Sequence, residues 1–303
     1  MNQSRNGKAL GMFIASMLIF GTIGIFRRNI PVPSAYLAFS RGILGGLCLL
    51  FFVRLRKKDA SSCLPGKLLL RLSFTGAMIG FNWMLLFEAY NHTTVAVATL
   101  CYYMQPTLVI LLSPLVFKER LTARKAVCAL LSILGMVLIS GVADGGGTEG
   151  RDPLGVILGL GAAALYAGVV IMNKKMQGVD AYQRTTVEML SAGIVMVPYL
   201  LLTNGFAPIE WTPSAMLLLL VVGIVHTGLA YALYFGSMQG LSVQSIAVLS
   251  YIDPVSALFF SALLLQETLS LPNIFGAALI IGSALMSEVK PGCKTDRADE
   301  ERR

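Results

Sequence analysis

The chain contains, at residues 251–269, the stretch YIDPVSALFFSALLLQETL, and 148 residues earlier, at 103–121, it contains YMQPTLVILLSPLVFKERL. In both stretches the fourth residue is a proline, Pro106 and Pro254, and a Glu-x-Leu element closes the stretch. Agreement at both ends of two long apolar stretches indicates that one structural unit occurs twice in the chain.

The repeat extends beyond these two stretches. Residues that match at the same offset include Tyr103 with Tyr251, Phe87 with Phe235, Val95 with Val243 and Glu119 with Glu267. At a slightly smaller offset, Leu10-Gly11 matches Leu154-Gly155. We therefore predict a first repeat at 9–143, a second repeat at 153–288 and a cytoplasmic tail at 289–303.

The composition is that of a membrane protein. Of the 303 residues, 55% are hydrophobic and only 13% are charged, whereas soluble domains have about 45–50% apolar and about 25% charged residues. The mean hydropathy is +0.72. The net charge of +8 comes from short basic clusters between apolar runs, a placement that sets membrane orientation rather than one that binds nucleic acid.

Ten apolar segments approach the length of about 20 residues that a spanning helix needs. They lie at 9–26, 34–53, 67–89, 93–117, 126–143, 153–173, 183–203, 214–236, 242–265 and 274–288. With both termini on one side, only Arg27, Arg28 and Arg151 among the basic residues of the links fall on the other side. Positive charge marks the cytoplasmic side, so both termini are predicted to be cytoplasmic.

Five spans in each unit have a topological consequence. Because five is odd, the second unit enters the membrane from the side opposite to the first. The predicted fold is therefore an all-α integral membrane protein of ten transmembrane helices, arranged as two inverted five-helix repeats. Many secondary transporters are built in this way.

The chain resembles the drug/metabolite transporter superfamily, and within it the EamA-type ten-helix exporters. The residues that carry the resemblance are Phe20-Gly21 in the first span, Arg41 in the second, Tyr103 to Pro106 with Phe117 to Leu121 in the fourth, and the matching stretch that ends in Gln266 to Leu269 in the ninth. The family usually has tryptophan where this chain has Phe20.

The resemblance implies a fold and a function. It implies two inverted five-helix halves around a central cavity lined mainly by helices 1, 3, 4, 6, 8 and 9. It implies export of amino acids, other metabolites or drug-like compounds across a bacterial inner membrane. The protein is expected to act as a monomer or a homodimer. Some relatives move nucleotide sugars or sugar phosphates, so an importer or exchanger of a sugar phosphate or a nucleoside-like compound is the alternative.

The fourth and ninth spans carry the main candidate site residues. A carboxylate at mid-membrane is costly and points to function, so Asp253 is predicted to bind a substrate amino group or a coupling proton; the alternative is a carboxylate satisfied by a neighbour such as Arg41. Gln105 is its counterpart, for another end of the substrate or for an interhelical hydrogen bond. Pro106 and Pro254 each remove a helix hydrogen bond and are predicted to be hinges, or else fixed kinks.

Aromatic and amide side chains gather on the spans that the resemblance assigns to the cavity. They can stack on a substrate and bond to it, and the alternative is anchoring at the membrane interface. His226 is either a proton relay or a packed core residue. The substrate-binding residues predicted in addition to Gln105 and Asp253 are Asn82, Tyr102, Tyr103, Tyr166, His226, Tyr231 and Tyr251.

Other polar residues are assigned structural roles. Arg41 is one, and Glu119 and Glu267 are predicted to accept backbone N–H groups at helix ends. The five cysteines and two histidines are too scattered for a metal site, a cofactor or a catalytic set. A membrane-embedded enzyme is therefore a remote alternative to a transporter. A channel is another, because channels usually have a polar stripe along a pore helix, whereas the polar residues here gather at mid-depth.

Overall fold

The computed structural model describes residues 2–55, 64–118, 121–140, 153–176, 178–203, 211–238, 240–241 and 243–288. The regular structure in these residues is helical. The helices of the first repeat are α1 (Asn2–Gly21), α2 (Ile23–Arg28), α3 (Ser34–Leu55), α4 (Gly66–His92), α5 (Val95–Tyr102), α6 (Gln105–Phe117) and α7 (Ala123–Ser140). Those of the second are α8 (Pro153–Lys175), α9 (Ala181–Leu202), α10 (Pro213–Gly223), a π-helical segment (Ile224–Leu229), α11 (Ala230–Met238), α12 (Val243–Leu249), α13 (Ile252–Leu264) and α14 (Leu271–Glu288).

Each of the ten predicted spans is helical, which confirms the all-α membrane fold. Within the described residues, seven continuous or broken helices are long and apolar enough to cross a bilayer, and Ile252–Leu264 and Leu271–Ser287 are shorter apolar helices. The remaining span, α7, begins with two basic residues, Arg124 and Lys125. Large apolar side chains such as Leu115 and Leu202 are 79% and 86% exposed, as a surface that faces lipid requires.

The two repeats break their fourth helix at the same place. The first copy divides into α5 and α6, and the second divides into α12 and α13. Each copy also ends on a residue in the left-handed region: φ is 55° at Lys118 and 53° at Gln266. These two residues are 148 positions apart, so the backbone repeats where the sequence repeats.

Helix packing follows the repeat as well. Among the described helices, α4 packs on α8 as α11 packs on α1, and α3 crosses α9 while α7 crosses α14. The α3–α9 crossing is close because glycines meet there: a Cβ atom on Gly42 would lie 2.5 Å from the backbone nitrogen of Gly193. The helices α3 and α9 are the second spans of the two repeats, and α7 and α14 are the fifth spans. A helix that crosses its own counterpart does so at the two-fold axis that relates the repeats, so the axis passes through these two crossings.

Two membrane faces can be defined from the helix ends. On the Arg28 face, α2 and α4 end and α5 begins; Arg28 donates to the carbonyl oxygen of Thr93 there at 2.7 Å. On the Ala181 face, α8 ends and α9 begins, and Asp180 caps α9 by accepting the N–H groups of Tyr182 and Gln183.

Candidate functional site

A cavity of about 540 Å³ lies between the two repeats. It reaches the Ala181 face, where Asn173, Ala181, Arg184 and Met238 line its mouth and are partly exposed. Its walls come from eight of the ten spans, since the second span (α3) and the seventh span (α9) contribute in addition to the six that the resemblance implies. Arg184 and Glu188 of α9 are not among the predicted site residues, and both line this wall.

The breaks in the fourth and ninth spans lie on the cavity wall. Tyr103 and Ser250, one at each break, both line the cavity. Pro106 and Pro254 lie in the first turn of α6 and of α13, where a proline costs little because first-turn N–H groups have no helical partner. The helix interruption therefore comes before each proline, and the hinge role of the two prolines stays a prediction.

The Asp253 side chain contacts the opposite repeat through a short hydrogen bond. The Tyr103 hydroxyl donates to Asp253 Oδ2 at 2.5 Å, so the bond joins the break in the fourth span to the start of α13. The nearby backbone is close as well, because a Cβ atom on Gly21 would lie 2.9 Å from the carbonyl oxygen of Asp253. Within the described residues Asp253 has no basic side chain within 4.0 Å, so its partner is Tyr103 and not Arg41.

Aromatic rings cover much of the remaining wall. Tyr102 lies with its ring centroid 5.7 Å from that of Tyr166, and Phe20 lies 5.1 Å from Tyr231. All four of these rings line the cavity. A wall of this kind binds an apolar or aromatic body by stacking and leaves hydroxyl groups for hydrogen bonds.

The structure divides the predicted site residues into two groups. Those on the cavity wall are Tyr102, Tyr103, Gln105, Tyr166, Tyr231 and Asp253, together with Arg41, which was assigned a structural role. Asn82, His226 and Tyr251 are buried but do not line the cavity.

The residues off the wall that have described contacts stabilise helix packing. Asn82 Nδ2 donates to the carbonyl oxygen of Ala162 at 2.6 Å and joins α4 to α8. His226 Nε2 lies 2.9 Å from the Thr22 hydroxyl, at the break between α1 and α2, and its ring packs against Phe26. The π-helical turn sets the direction of His226, and the sequence carried no signal for that turn.

At the Arg28 face the two repeats are joined by a contact that we name the Glu267 clasp. Glu267 Oε1 accepts the N–H of Val95 at 2.8 Å, and Oε2 accepts the N–H of Ala96 at 3.2 Å. Arg28 Nη2 lies 3.6 Å from Oε1. Glu267 thus accepts backbone N–H groups, but at the start of α5 in the other repeat rather than at the helix that follows it in sequence. Its counterpart Glu119 lies outside the described residues.

No group of three or more His, Cys, Asp or Glu side chains that would hold a metal occurs in the part of the chain that the structure describes. The cavity wall instead offers two guanidinium groups, Arg41 and Arg184, and two carboxyl groups, Glu188 and Asp253. The arrangement is suited to binding a polar or charged small molecule that also has an apolar body.

Comparison with known proteins gives consistent matches over nearly the whole chain. The profile of the EamA-like transporter family matches twice, at residues 7–141 and 153–288. A Bacillus subtilis protein named as the transporter YxxF is 27% identical over 93% of this chain and 92% of its own length. A Salmonella typhimurium protein named as the inner membrane transporter YicL is 24% identical, over 94% and 96%. A protein of known crystal structure has the same fold, with a TM-score of 0.64 at 21% identity over 95% of this chain and 97% of its own.

Proposed function

Because the chain belongs to the EamA-like transporter family, we propose that it is a secondary transporter that exports small metabolites, such as amino acids or drug-like compounds, from a bacterial cell. Transport proceeds by alternating access: the two repeats rock about the central cavity and expose it to one membrane face at a time. A metabolite importer or exchanger is the second candidate, which the repeat architecture supports equally.

The observation that carries this proposal is the one-sided access of the cavity. Its mouth at the Ala181 face is partly exposed, whereas its far end is bounded by Tyr90, Leu86 and Thr99, which are 2%, 6% and 5% exposed. The closed end is held by the Glu267 clasp, which joins the two repeats. A site that is open to one face and shut at the other by contacts between inverted repeats has the geometry of one state of an alternating-access carrier.

Asp253 is the residue that we assign to substrate or proton binding. It lies on the wall at mid-span, and its Tyr103 hydrogen bond crosses between the repeats. An amino group or a proton that binds the carboxylate competes with this bond, so that binding is coupled to the contact between the halves. Protonation adds an O–H donor to a carboxyl group that otherwise only accepts hydrogen bonds, so protonated Asp253 can donate to the Tyr103 hydroxyl oxygen instead of accepting from it.

The test of transport uses the purified full-length protein in proteoliposomes. A thermal-stability screen against amino acids and other metabolites selects ligands, and a labelled hit is then followed for uptake and for counterflow. We expect a saturable flux that empty liposomes lack. Counterflow without net flux would instead identify an obligate exchanger, and the absence of both for every stabilising ligand would contradict the proposal.

The role of Asp253 is tested by Asp253→Asn, with Glu88→Gln as the matched variant of a carboxyl group off the cavity wall. We expect loss of proton-driven accumulation with counterflow retained if Asp253 binds the proton, and loss of both if it binds the substrate. An unchanged rate in both assays would remove Asp253 from the mechanism.

Orientation is tested with single cysteines on the two faces. Asn29 and Lys174 are exposed at the Arg28 face and the Ala181 face. With both termini cytoplasmic, we expect a membrane-impermeant maleimide to label Asn29→Cys and not Lys174→Cys in intact cells. The opposite pattern would reverse the orientation and with it the direction in which the cavity now opens.

A further inference from the structure

Arg41 is a buried cation that forms no direct ion pair with any described residue. Only 6% of the residue is exposed, and it lies on the cavity wall. Among the described residues no carboxyl group lies within 4.0 Å of its guanidinium. A buried charge is costly unless it is paired, so an unpaired guanidinium beside a cavity is suited to an anion that arrives from solution.

The protein fixes one edge and one face of this guanidinium. Arg41 Nε donates to the Thr227 hydroxyl at 2.9 Å. The guanidinium carbon lies 4.1 Å from the ring centroid of Trp83, which also lines the cavity. These contacts hold the plane of the group but use only one of its five N–H donors, and no described residue accepts from the Nη groups.

From this geometry we infer that Arg41 is the anion-binding residue of the cavity, and that the group it takes is a carboxylate on a molecule with an apolar or aromatic body. Two parallel N–H donors of a guanidinium match the two oxygens of a carboxylate. A singly charged anion fits better than a phosphate dianion, because Asp253 and Glu188 lie on the same wall and oppose a second negative charge. The tyrosines of the wall receive the rest of the molecule.

Thr227 is a positioning residue for this subsite. Thr227 lies in the π-helical segment, and its hydroxyl accepts from Arg41 and itself donates at 3.1 Å to the carbonyl oxygen of Val222, which is five residues earlier in α10. Such turns occur often at functional sites. The wide turn therefore aims a hydroxyl acceptor at Arg41, and a regular α-helix would give residue 227 a different direction.

The biological role of this anion site rests on the proposed transport function, but anion binding itself can be tested without measuring transport. The chain has two tryptophans, Trp83 and Trp211, so Trp211→Phe leaves Trp83 as the only indole, directly beneath the Arg41 guanidinium. Quenching of Trp83 fluorescence by iodide, an anion, is compared with quenching by acrylamide, which is neutral and reports access alone. Both are measured on purified protein at constant ionic strength.

We expect Arg41→Gln to lower the iodide quenching constant about tenfold, equivalent to about 1.4 kcal/mol, and to leave acrylamide quenching unchanged. Arg184→Gln removes the other guanidinium of the wall. Equal losses of iodide quenching in the two variants would assign the attraction to the cavity as a whole and overturn the inference, as would unchanged iodide quenching in Arg41→Gln. Because these outcomes do not involve flux, they are distinct from a failure of transport.

The carboxylate class is tested by protection of Trp83. We expect 3-phenylpropionate to protect Trp83 from iodide and the uncharged 3-phenylpropionamide not to protect it; equal protection by both would refute a carboxylate subsite. Thr227→Val retains the charge of Arg41 and nearly the shape of the threonine side chain, so it provides a second test in case Arg41→Gln does not fold. We expect it to retain iodide quenching but to weaken protection by 3-phenylpropionate, and unchanged protection would remove Thr227 from the subsite.

Discussion

Replacement of Glu267 tests whether the clasp holds the cavity shut at the Arg28 face. The carboxylate accepts two N–H groups at the start of α5 and lies near Arg28. Glu267 belongs to the second repeat, and its partners belong to the first. Opening of this face requires the start of α5 to separate from the end of the ninth span, which breaks these contacts. Glu267→Ala and Glu267→Gln should therefore favour the state that is open at the Arg28 face.

The size of the effect follows from the contacts. Loss of a side chain that caps a helix N-terminus costs about 0.5–2 kcal/mol, and the charge near the positive helix end adds about 0.3–1 kcal/mol. The Arg28 side chain is 37% exposed, so solvent screening reduces its ion pair to less than about 1 kcal/mol. Together these give about 2 kcal/mol for alanine, and about 1 kcal/mol for glutamine, whose carbonyl oxygen still accepts a hydrogen bond. Those values correspond to about 30-fold and about fivefold more of the open state.

The assay measures thiol accessibility from the Arg28 face. Leu86 lines the closed end of the cavity, and Leu86→Cys in a background without the native cysteines reports opening through its reaction with an impermeant reagent. Glu88→Gln is the matched control, because Glu88 lies on the same face but its contacts among the described residues, with Ser34, Asn91 and His92, are all within the first repeat. A lower melting temperature without faster labelling would mean that Glu267 is merely a helix cap, and would refute the reasoning.

Two further predictions concern packing and proton transfer. Gly42→Ala should lower the melting temperature markedly, because the added Cβ atom would lie 2.5 Å from the backbone nitrogen of Gly193. Gly282→Ala is the control and should not lower it, because nothing lies within 4 Å of a Cβ atom at that position. Equal effects of the two variants in thermal unfolding would contradict the close α3–α9 crossing. His226→Gln should keep the pH dependence of transport in proteoliposomes, because His226 bonds to Thr22 away from the cavity and glutamine retains a donor and an acceptor. Loss of proton drive in that variant would restore the relay hypothesis.

The helices could be predicted from sequence because each depends on local composition. An apolar run of sufficient length forms a spanning helix whatever it packs against, and the two copies of the fourth span are visible because they can be compared directly. Gln266 has the same left-handed backbone as Lys118, although neither residue is a glycine. The fold could therefore be predicted without any knowledge of tertiary contacts.

The rotation of each helix about its own axis could not be predicted from the sequence. Asn82 and His226 lie in the interior of their spans, as the hydropathy pattern predicts, but their side chains contact neighbouring helices and do not line the cavity. Arg184 and Glu188 were missed for the same reason. A charged residue in a span can be buried against a neighbouring helix or can line a cavity, and the sequence does not distinguish the two. The partner of Glu267 lies more than 170 residues away in sequence, and only the folded chain brings the two together.

The repeat places equivalent positions around the cavity but fills them with different chemistry. Wall positions that are 148 residues apart include Trp83 with Tyr231, Tyr90 with Met238, Tyr102 with Ser250 and Gln105 with Asp253. The aromatic pair Trp83 and Tyr231 preserves a stacking surface on both sides of the axis.

The charged positions break the symmetry. Asp253 has the amide Gln105 at the equivalent position of the first repeat, and Arg41 has the uncharged Met189 at the equivalent position of the second. Of the four charged wall residues, Arg41 belongs to the first repeat, and Arg184, Glu188 and Asp253 belong to the second. A symmetric frame allows the two repeats to exchange their roles as the cavity opens to either face. An asymmetric wall, in contrast, holds an asymmetric substrate in one orientation throughout that exchange. We therefore propose that the carboxylate subsite at Arg41 and the carboxyl group of Asp253 belong to one binding site that spans the seam between the repeats.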